Sequence, residues 1–188
     1  MKMVVTPVFQ PILDLKSKQF RWLEALARIN GDFTQRGHIQ LLSLGEECGF
    51  IHHIDRAVAE WVLDSRESAG LPISINVSVV TIERNPESIL GILRSNPGGA
   101  HDLILEITET ARISSLSAVH DFCHQVWRLG GRIAVDDFGT GHFTADLVGR
   151  IQPDFIKLAQ ALVSTVVSSR DMGLLKEISV VASAIGAE

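Results

Sequence analysis

The chain has 188 residues, enough for one domain with a sizeable core. Hydrophobic residues make up 46% and the formal net charge is −5, which argues against a long nucleic-acid partner, since no basic patch is in view. Mean hydropathy is +0.21, yet no apolar run reaches the roughly 18 residues of a membrane span. The two cysteines, Cys48 and Cys123, sit in apolar helical contexts and read as buried free thiols of a reducing compartment. The start, Met1 to Pro7, is too short for a secretory leader, so the expected location is the cytoplasm.

The elements alternate along the chain. Val8 to Leu13 reads as a strand, and Phe20 to Ile29 as a second, joined by the turn-like Asp14 to Gln19. So short a connection predicts an antiparallel pair, because a parallel crossover needs a dozen or more residues. Helical patterns follow at Ile39–Cys48 and Asp55–Ser68. Strand–helix units then repeat: Ile73–Val77 with Pro86–Ser95, Leu103–Thr108 with Ser115–Leu129, Arg132–Asp136 with Thr144–Ile151, and Phe155–Leu158 with a helical tail to about Ala187. This alternation predicts a parallel α/β sheet. With no Gly-x-Gly-x-x-Gly after the first strand, a TIM-like (β/α) barrel with an antiparallel first strand is favoured over a dinucleotide-binding sheet. A full barrel has about eight strands, and the pattern supplies six, so the last strands of the barrel are expected to be lacking here. One domain over residues 8–188, incomplete at its C-terminal end, with 1–7 as an extension, is the expected organisation.

Side chains alternate faces along a strand. Positions 73, 75 and 77, and 103, 105 and 107, form uniformly apolar faces suited to packing under helices. The opposite parity carries Glu24, Asn76, Glu106, Asp136 and Lys157, each near the end of a different strand, with Arg28 sharing the parity of Glu24. In a barrel these residues converge on the mouth, where active sites of this architecture lie. The run Asp136-Asp137-Phe138-Gly139-Thr140-Gly141 follows the buried strand Arg132 to Val135. On its own it fits a solvated turn before a helix or a cation site, since adjacent carboxylates repel unless a cation or donors hold them. Oxygen ligands without histidine or cysteine point to Mg²⁺ or Mn²⁺, and adjacent aspartates allow two ions.

These residues in this order resemble the EAL-domain family, bacterial hydrolases of cyclic di-GMP. The signature stands as Glu24-Ala25-Leu26 within Trp22 to Arg28. Phe9-Gln10-Pro11-Ile12 is similar to the family's opening strand and Ser74-Ile75-Asn76-Val77-Ser78 to its asparagine strand. Glu106-Ile107-Thr108-Glu109, the run from Asp136 to Gly141, and Lys157 match its later motifs. The resemblance implies that Glu24, Asn76, Glu106 and Asp136 are metal ligands and that Asp137 serves a second ion. It implies that Lys157 positions or polarises the attacking water and that Glu109 holds the loop carrying Asp137. Gln10 and Arg28 are expected to contact the nucleotide, Arg28 at a phosphate. The implied reaction opens cyclic di-GMP to linear pGpG in second-messenger signalling. A homodimer and a regulatory protein partner are the implied assemblies.

The sequence also departs from the family. Leu158-Ala159 follows the lysine where Ile-Asp is usual, and His142-Phe143-Thr144 replaces Tyr-Ser-Ser. The family's next strand carries a further glutamate, and a glutamine comes later; the sequence stops at Ala187-Glu188 before them. The expectation for these 188 residues alone is therefore weak or no turnover. The alternative reading is a degenerate, non-catalytic EAL module that binds cyclic di-GMP or a protein partner. Elsewhere, His120, Cys123 and His124 fall within one helical turn, but Val119, Phe122, Cys123 and Val126 form an apolar stripe that assigns Cys123 to the core rather than to zinc. His52 and His53 read as helix-start surface, and Trp22, Trp61 and Trp127 as core or interface anchors.

Overall fold

The runs Ile73–Ser78 and Leu103–Thr108 are short and almost wholly buried, which suits strands covered on both faces. In the computed structural model, residues 5–14, 17–29, 35–108, 113–139, 144–161, 163–164 and 173–188 are described. Six strands form one sheet in chain order: β1 (Val5–Leu13), β2 (Phe20–Ile29), β3 (Ile73–Ser78), β4 (Leu103–Thr108), β5 (Arg132–Phe138) and β6 (Phe155–Leu158). β1 pairs with β2 antiparallel, as the short connection requires, and every later neighbour pair is parallel. Among the described residues β1 and β6 are the sheet's edges, so the fold is an open arc of a TIM-like barrel. Pro7 and Pro11 lie in the edge strand β1, opposite Ala27 and Leu23 of β2. Beside β6, the Glu188 amide donates to the Asp154 carbonyl at 3.0 Å and its carbonyl accepts from Ile156 at 2.8 Å.

The helices are α1 (Gln35–Cys48), α2 (Ile51–Ala69), α3 (Val79–Arg84), α4 (Glu87–Ser95), α5 (Leu116–Arg128), α6 (Ala145–Ile151) and α7 (Gly173–Ile185). Several differ from the sequence reading. β1 begins at Val5, α1 and α2 begin four residues earlier than expected, and α3 was not anticipated. Part of the expected C-terminal helical tail, residues 162 and 165–172, lies outside the described residues. α3 is hidden in the sequence because Val79-Val80-Thr81-Ile82 is β-branched throughout, a pattern that favours strand. The cap explains it: Ser78 Oγ accepts from the Val80 amide at 3.1 Å and ends the strand.

The core divides by strand parity. Ala25, Ile73, Ile75, Val77, Leu103, Leu105, Ile107, Ile133 and Val135 face outward under the helices, meeting Val58 and Val62 of α2, Leu90 and Leu93 of α4, and Phe122 and Val126 of α5. The concave face is floored by a smaller cluster of Trp22, Ile104, Ala134 and Phe155, with the Trp22 and Phe155 rings 5.0 Å apart. Cys123 is buried as expected, and its α5 stripe of Val119, Phe122 and Val126 is buried with it. Cys48 is exposed, contrary to the sequence reading, because it is the last residue of α1 and its side chain joins no core cluster. Trp22 is core, the Trp127 indole donates to Asp154 at 3.0 Å, and the half-exposed Trp61 lies 5.6 Å from Phe9. His52 and His53 stand in the first turn of α2.

Candidate active site

The outward face of the sheet is spent on packing, so polar residues of the other parity gather on the concave face above the Trp22–Phe155 floor. β2 brings Glu24, β3 Asn76, β4 Glu106, β5 Asp136 and β6 Lys157. Register supports the convergence, since Asn76 and Glu106 are Cα partners and Gln10 is the partner of Glu24 across the antiparallel pair.

The Lys157 ammonium sits at the centre. It lies 2.5 Å from Glu106 Oε2, 3.1 Å from Asp136 Oδ1 and 3.2 Å from Glu24 Oε2. Asn76 Nδ2 donates to Glu24 Oε1 at 3.3 Å, which commits the amide nitrogen and leaves the carbonyl oxygen as the ligand a cation would take. Glu106 is fully buried, and its Oε1 has no hydrogen-bond partner among the described residues. Burial raises the Glu106 carboxyl to about 7; the Lys157 charge opposes this and the Glu24 charge reinforces it. The buried Ser74 hydroxyl comes near enough to favour the charged form without making a well-formed hydrogen bond. For Lys157, burial alone would lower the pKa, but the carboxylates of Glu106, Asp136 and Glu24 outweigh it and hold the ammonium above its ordinary value.

The remaining residues expected at the site are more peripheral. Asp137 is exposed, in a left-handed conformation at φ 52°, and its amide donates to Asp136 Oδ1 at 2.9 Å. There the β5–β6 register shifts, so Phe138 turns outward where strict alternation would have placed Asp137. Asp137 is therefore outside the three-carboxylate cluster. Gln10 and Arg28 are exposed on β1 and β2, with Arg28 Nη1 donating to the Ala27 carbonyl at 3.0 Å. Glu109, Thr140, Gly141, His142 and Phe143 lie outside the described residues.

The donor set suits a hard divalent cation. One oxygen from each of Glu24, Glu106 and Asp136 lies within 4.8 Å of the others. Oxygens within that limit are close enough to share one divalent ion, at calcium bonds of about 2.3–2.6 Å or magnesium bonds of about 2.0–2.1 Å, once they draw in around it. The orphaned Oε1 of Glu106 is the buried acceptor that such an ion would satisfy.

An arc of TIM-like barrel in which β2, β4 and β5 bring carboxylates around one lysine defines a barrel-fold protein with a candidate cation site on its concave face. The family model for the EAL domain matches residues 4–188, and the chain belongs to that family. It is similar to the cyclic di-GMP phosphodiesterase TpdA of Vibrio parahaemolyticus, at 32% identity over 155 residues, covering 82% of this chain and 26% of TpdA. It is also similar to the blue light- and temperature-regulated antirepressor BluF of Escherichia coli, at 28% identity over 165 residues, covering 84% of this chain and 40% of BluF. The chain thus spans well under half of these curated relatives. Among solved structures, the Bacillus subtilis YkuI protein in complex with substrate c-di-GMP and calcium matches with a TM-score of 0.77 and 27% identity, over 97% of this chain and 46% of that one. No helix among the described residues is long and apolar enough to cross a membrane.

Sequence reasoning missed a second polar cluster behind the site. Asp55 of α2 is buried, and its Oδ2 accepts from the Ser78 amide at 3.1 Å and from Thr81 Oγ1 at 2.5 Å. Glu46 Oε1 of α1 accepts from Ser78 Oγ at 2.7 Å. The available signal was helical period, which sets Asp55 on the same stripe as Ile51, Ile54, Val58 and Val62.

Proposed function

We propose that this chain belongs to the phosphodiesterase domain of a cyclic di-GMP signalling protein, and that the parent domain hydrolyses one phosphodiester bond to give linear pGpG. The observation carrying this reading is the set of buried Glu24 and Glu106 and half-buried Asp136 closed around Lys157, with one Glu106 oxygen left for a cation. Glu24, Asn76, Glu106 and Asp136 would hold one Mg²⁺ or Mn²⁺ ion, and Asp137 a second. Bound divalent ions supply neutralisation of phosphoryl charge and acidification of water.

The chain's own residues do the rest. Asn76 fixes the Glu24 carboxylate through its amide. Lys157, kept charged by three acids, orients the attacking water and offsets charge developing on the phosphoryl oxygens. Arg28, on the parity of Glu24 and exposed, offers a guanidinium to a phosphate, and Gln10 contacts the nucleotide beside it. Glu109 would hold the loop that carries Asp137. Calorimetric titration with cyclic di-GMP, with and without Mg²⁺, followed by chromatography for pGpG, tests the reading. Product that depends on Mg²⁺ supports it.

A second reading, a binding module without turnover, is favoured by Ala159. This residue stands where the family usually has an acid, and it is buried, with its amide donating to the Phe138 carbonyl at 3.1 Å. Nucleotide bound without product in the same experiment would select this reading, and a role toward a protein partner would follow if neither occurred.

A further inference from the structure

A carboxylate on the apolar stripe of a helix is expensive to desolvate, and Asp55 is such a group. Burial raises it to about 7, against the hydrogen bonds from Thr81 and Ser78. Both bonds end on one oxygen, Oδ2, and both donors belong to the junction where β3 becomes α3. Glu46 takes the Ser78 hydroxyl, so α1 and α2 grip the same residue from two directions. Ser78 is two residues past Asn76 on the same strand. At the far end of α3, Glu83 accepts from the Ser114 and Ser115 amides at 2.6 and 2.7 Å, and from the Ser114 hydroxyl. α3 is thus tied at its start to the β3 terminus and at its end to the entry of α5.

We propose that Asp55, seconded by Glu46, is a positioning residue of the cation site: by pinning the Ser78 amide and Thr81 it fixes where β3 stops, and so where the Asn76 side chain meets Glu24. The inference rests on the reading of Asn76 as a ligand given above. Asp55 touches neither substrate nor cation in this scheme. Its effect reaches the site through the backbone from Ser78 to Asn76.

Two substitutions separate this role from plain structural support. Asp55→Asn keeps an acceptor oxygen for both donors, whereas Asp55→Leu fills the space and accepts nothing. Mn²⁺ affinity, read from free Mn²⁺ by electron paramagnetic resonance well below the melting temperature, is expected to weaken about tenfold or more in Asp55→Leu and to stay near wild type in Asp55→Asn. In metal-free protein the Asn76 side-chain amide resonance, identified by its loss in Asn76→Asp, is expected to move in Asp55→Leu and not in Asp55→Asn. A folded Asp55→Leu protein with wild-type Mn²⁺ affinity and an unmoved Asn76 resonance overturns the proposal, whatever its melting temperature. Where Asp55→Leu does not fold, Thr81→Val and Ser78→Ala each remove one hydroxyl of the network and are read in the same way. If wild-type protein binds no Mn²⁺, the cation reading fails and the Asn76 resonance alone decides this inference, in favour if it moves and against if it does not.

Discussion

Lys157 on β6 and Glu106 on β4 meet at 2.5 Å although a whole strand, β5, runs between them. Adjacent strands are about 4.8 Å apart, so the two backbones stand roughly 10 Å from each other. The contact is made by long side chains rising from the concave face, and curvature of the sheet brings their ends together. Glu24 and Asp136 close on the same ammonium, so four strands share one charge centre.

Removing the ammonium leaves three carboxylates facing one another in a half-buried site. Lys157→Met is expected to destabilise the chelator-treated protein by about 3 kcal/mol, the scale for breaking a buried pair. A divalent ion should recover much of that, since ligand at about 100 times its Kd adds about 2.7 kcal/mol. Urea unfolding with EDTA and with saturating Mg²⁺ reads both effects. A variant equally unstable in the two conditions would count against a cation site.

Asp55 gives the protein a pH-dependent stability. Its ordinary value is 3.8 and burial raises it to about 7 in the folded state. Between those values the folded chain holds a proton that the unfolded chain has released, so this contribution is fully present below the lower value and is lost as pH rises through about 7. The slope from one such group is about 1.4 kcal/mol per pH unit within that window. Denaturation at pH 5 and pH 8 should show the loss in wild type and a smaller one in Asp55→Asn.

Asp137 holds a left-handed backbone at φ 52°, which a side chain with a Cβ adopts at a cost of about 1–2 kcal/mol. Asp137→Gly and Asp137→Ala remove the same carboxylate. The glycine variant is expected to be more stable than the alanine variant by about 1 kcal/mol in urea unfolding. Equal stability would show that the turn does not impose this conformation in solution.

Arg28 separates nucleotide recognition from cation binding. Its side chain is exposed, and its guanidinium donates to the Ala27 carbonyl. Arg28→Ala is expected to weaken cyclic di-GMP binding about tenfold, the scale of one charge-assisted hydrogen bond, and to leave Mn²⁺ affinity unchanged. Calorimetry with each ligand separately checks the pair of outcomes.

The site was largely legible because strands encode direction with period two. Apolar residues at 103, 105 and 107 left Glu106 facing the other way, and the same rule held for Asn76, Asp136 and Lys157. The strand bounds at Leu103–Thr108 and Phe155–Leu158 match the expectation because each run is apolar and ends at a turn signal. Asp137 escaped the rule because a left-handed residue breaks the alternation at that point. The Glu46–Ser78–Asp55–Thr81 network escaped for another reason: its contacts span 23 to 32 positions in sequence, and no local pattern reports a partner so far away. α3 was lost to β-branched composition, with Ser78 as its one visible cap.

Pro7 and Pro11 stand in β1 at alternate positions on either side of Phe9, and the pairing to β2 runs through both. Because proline has no amide hydrogen, the donors missing at these two places are ones the β1–β2 ladder does not use. They are missing instead from the side of β1 that faces away from the sheet. An incoming strand would find acceptors there with few donors between them, which makes this border a poor template for open-ended stacking of copies. Two prolines in β1 thus set this border, an edge of the sheet among the described residues, against pairing with a further strand.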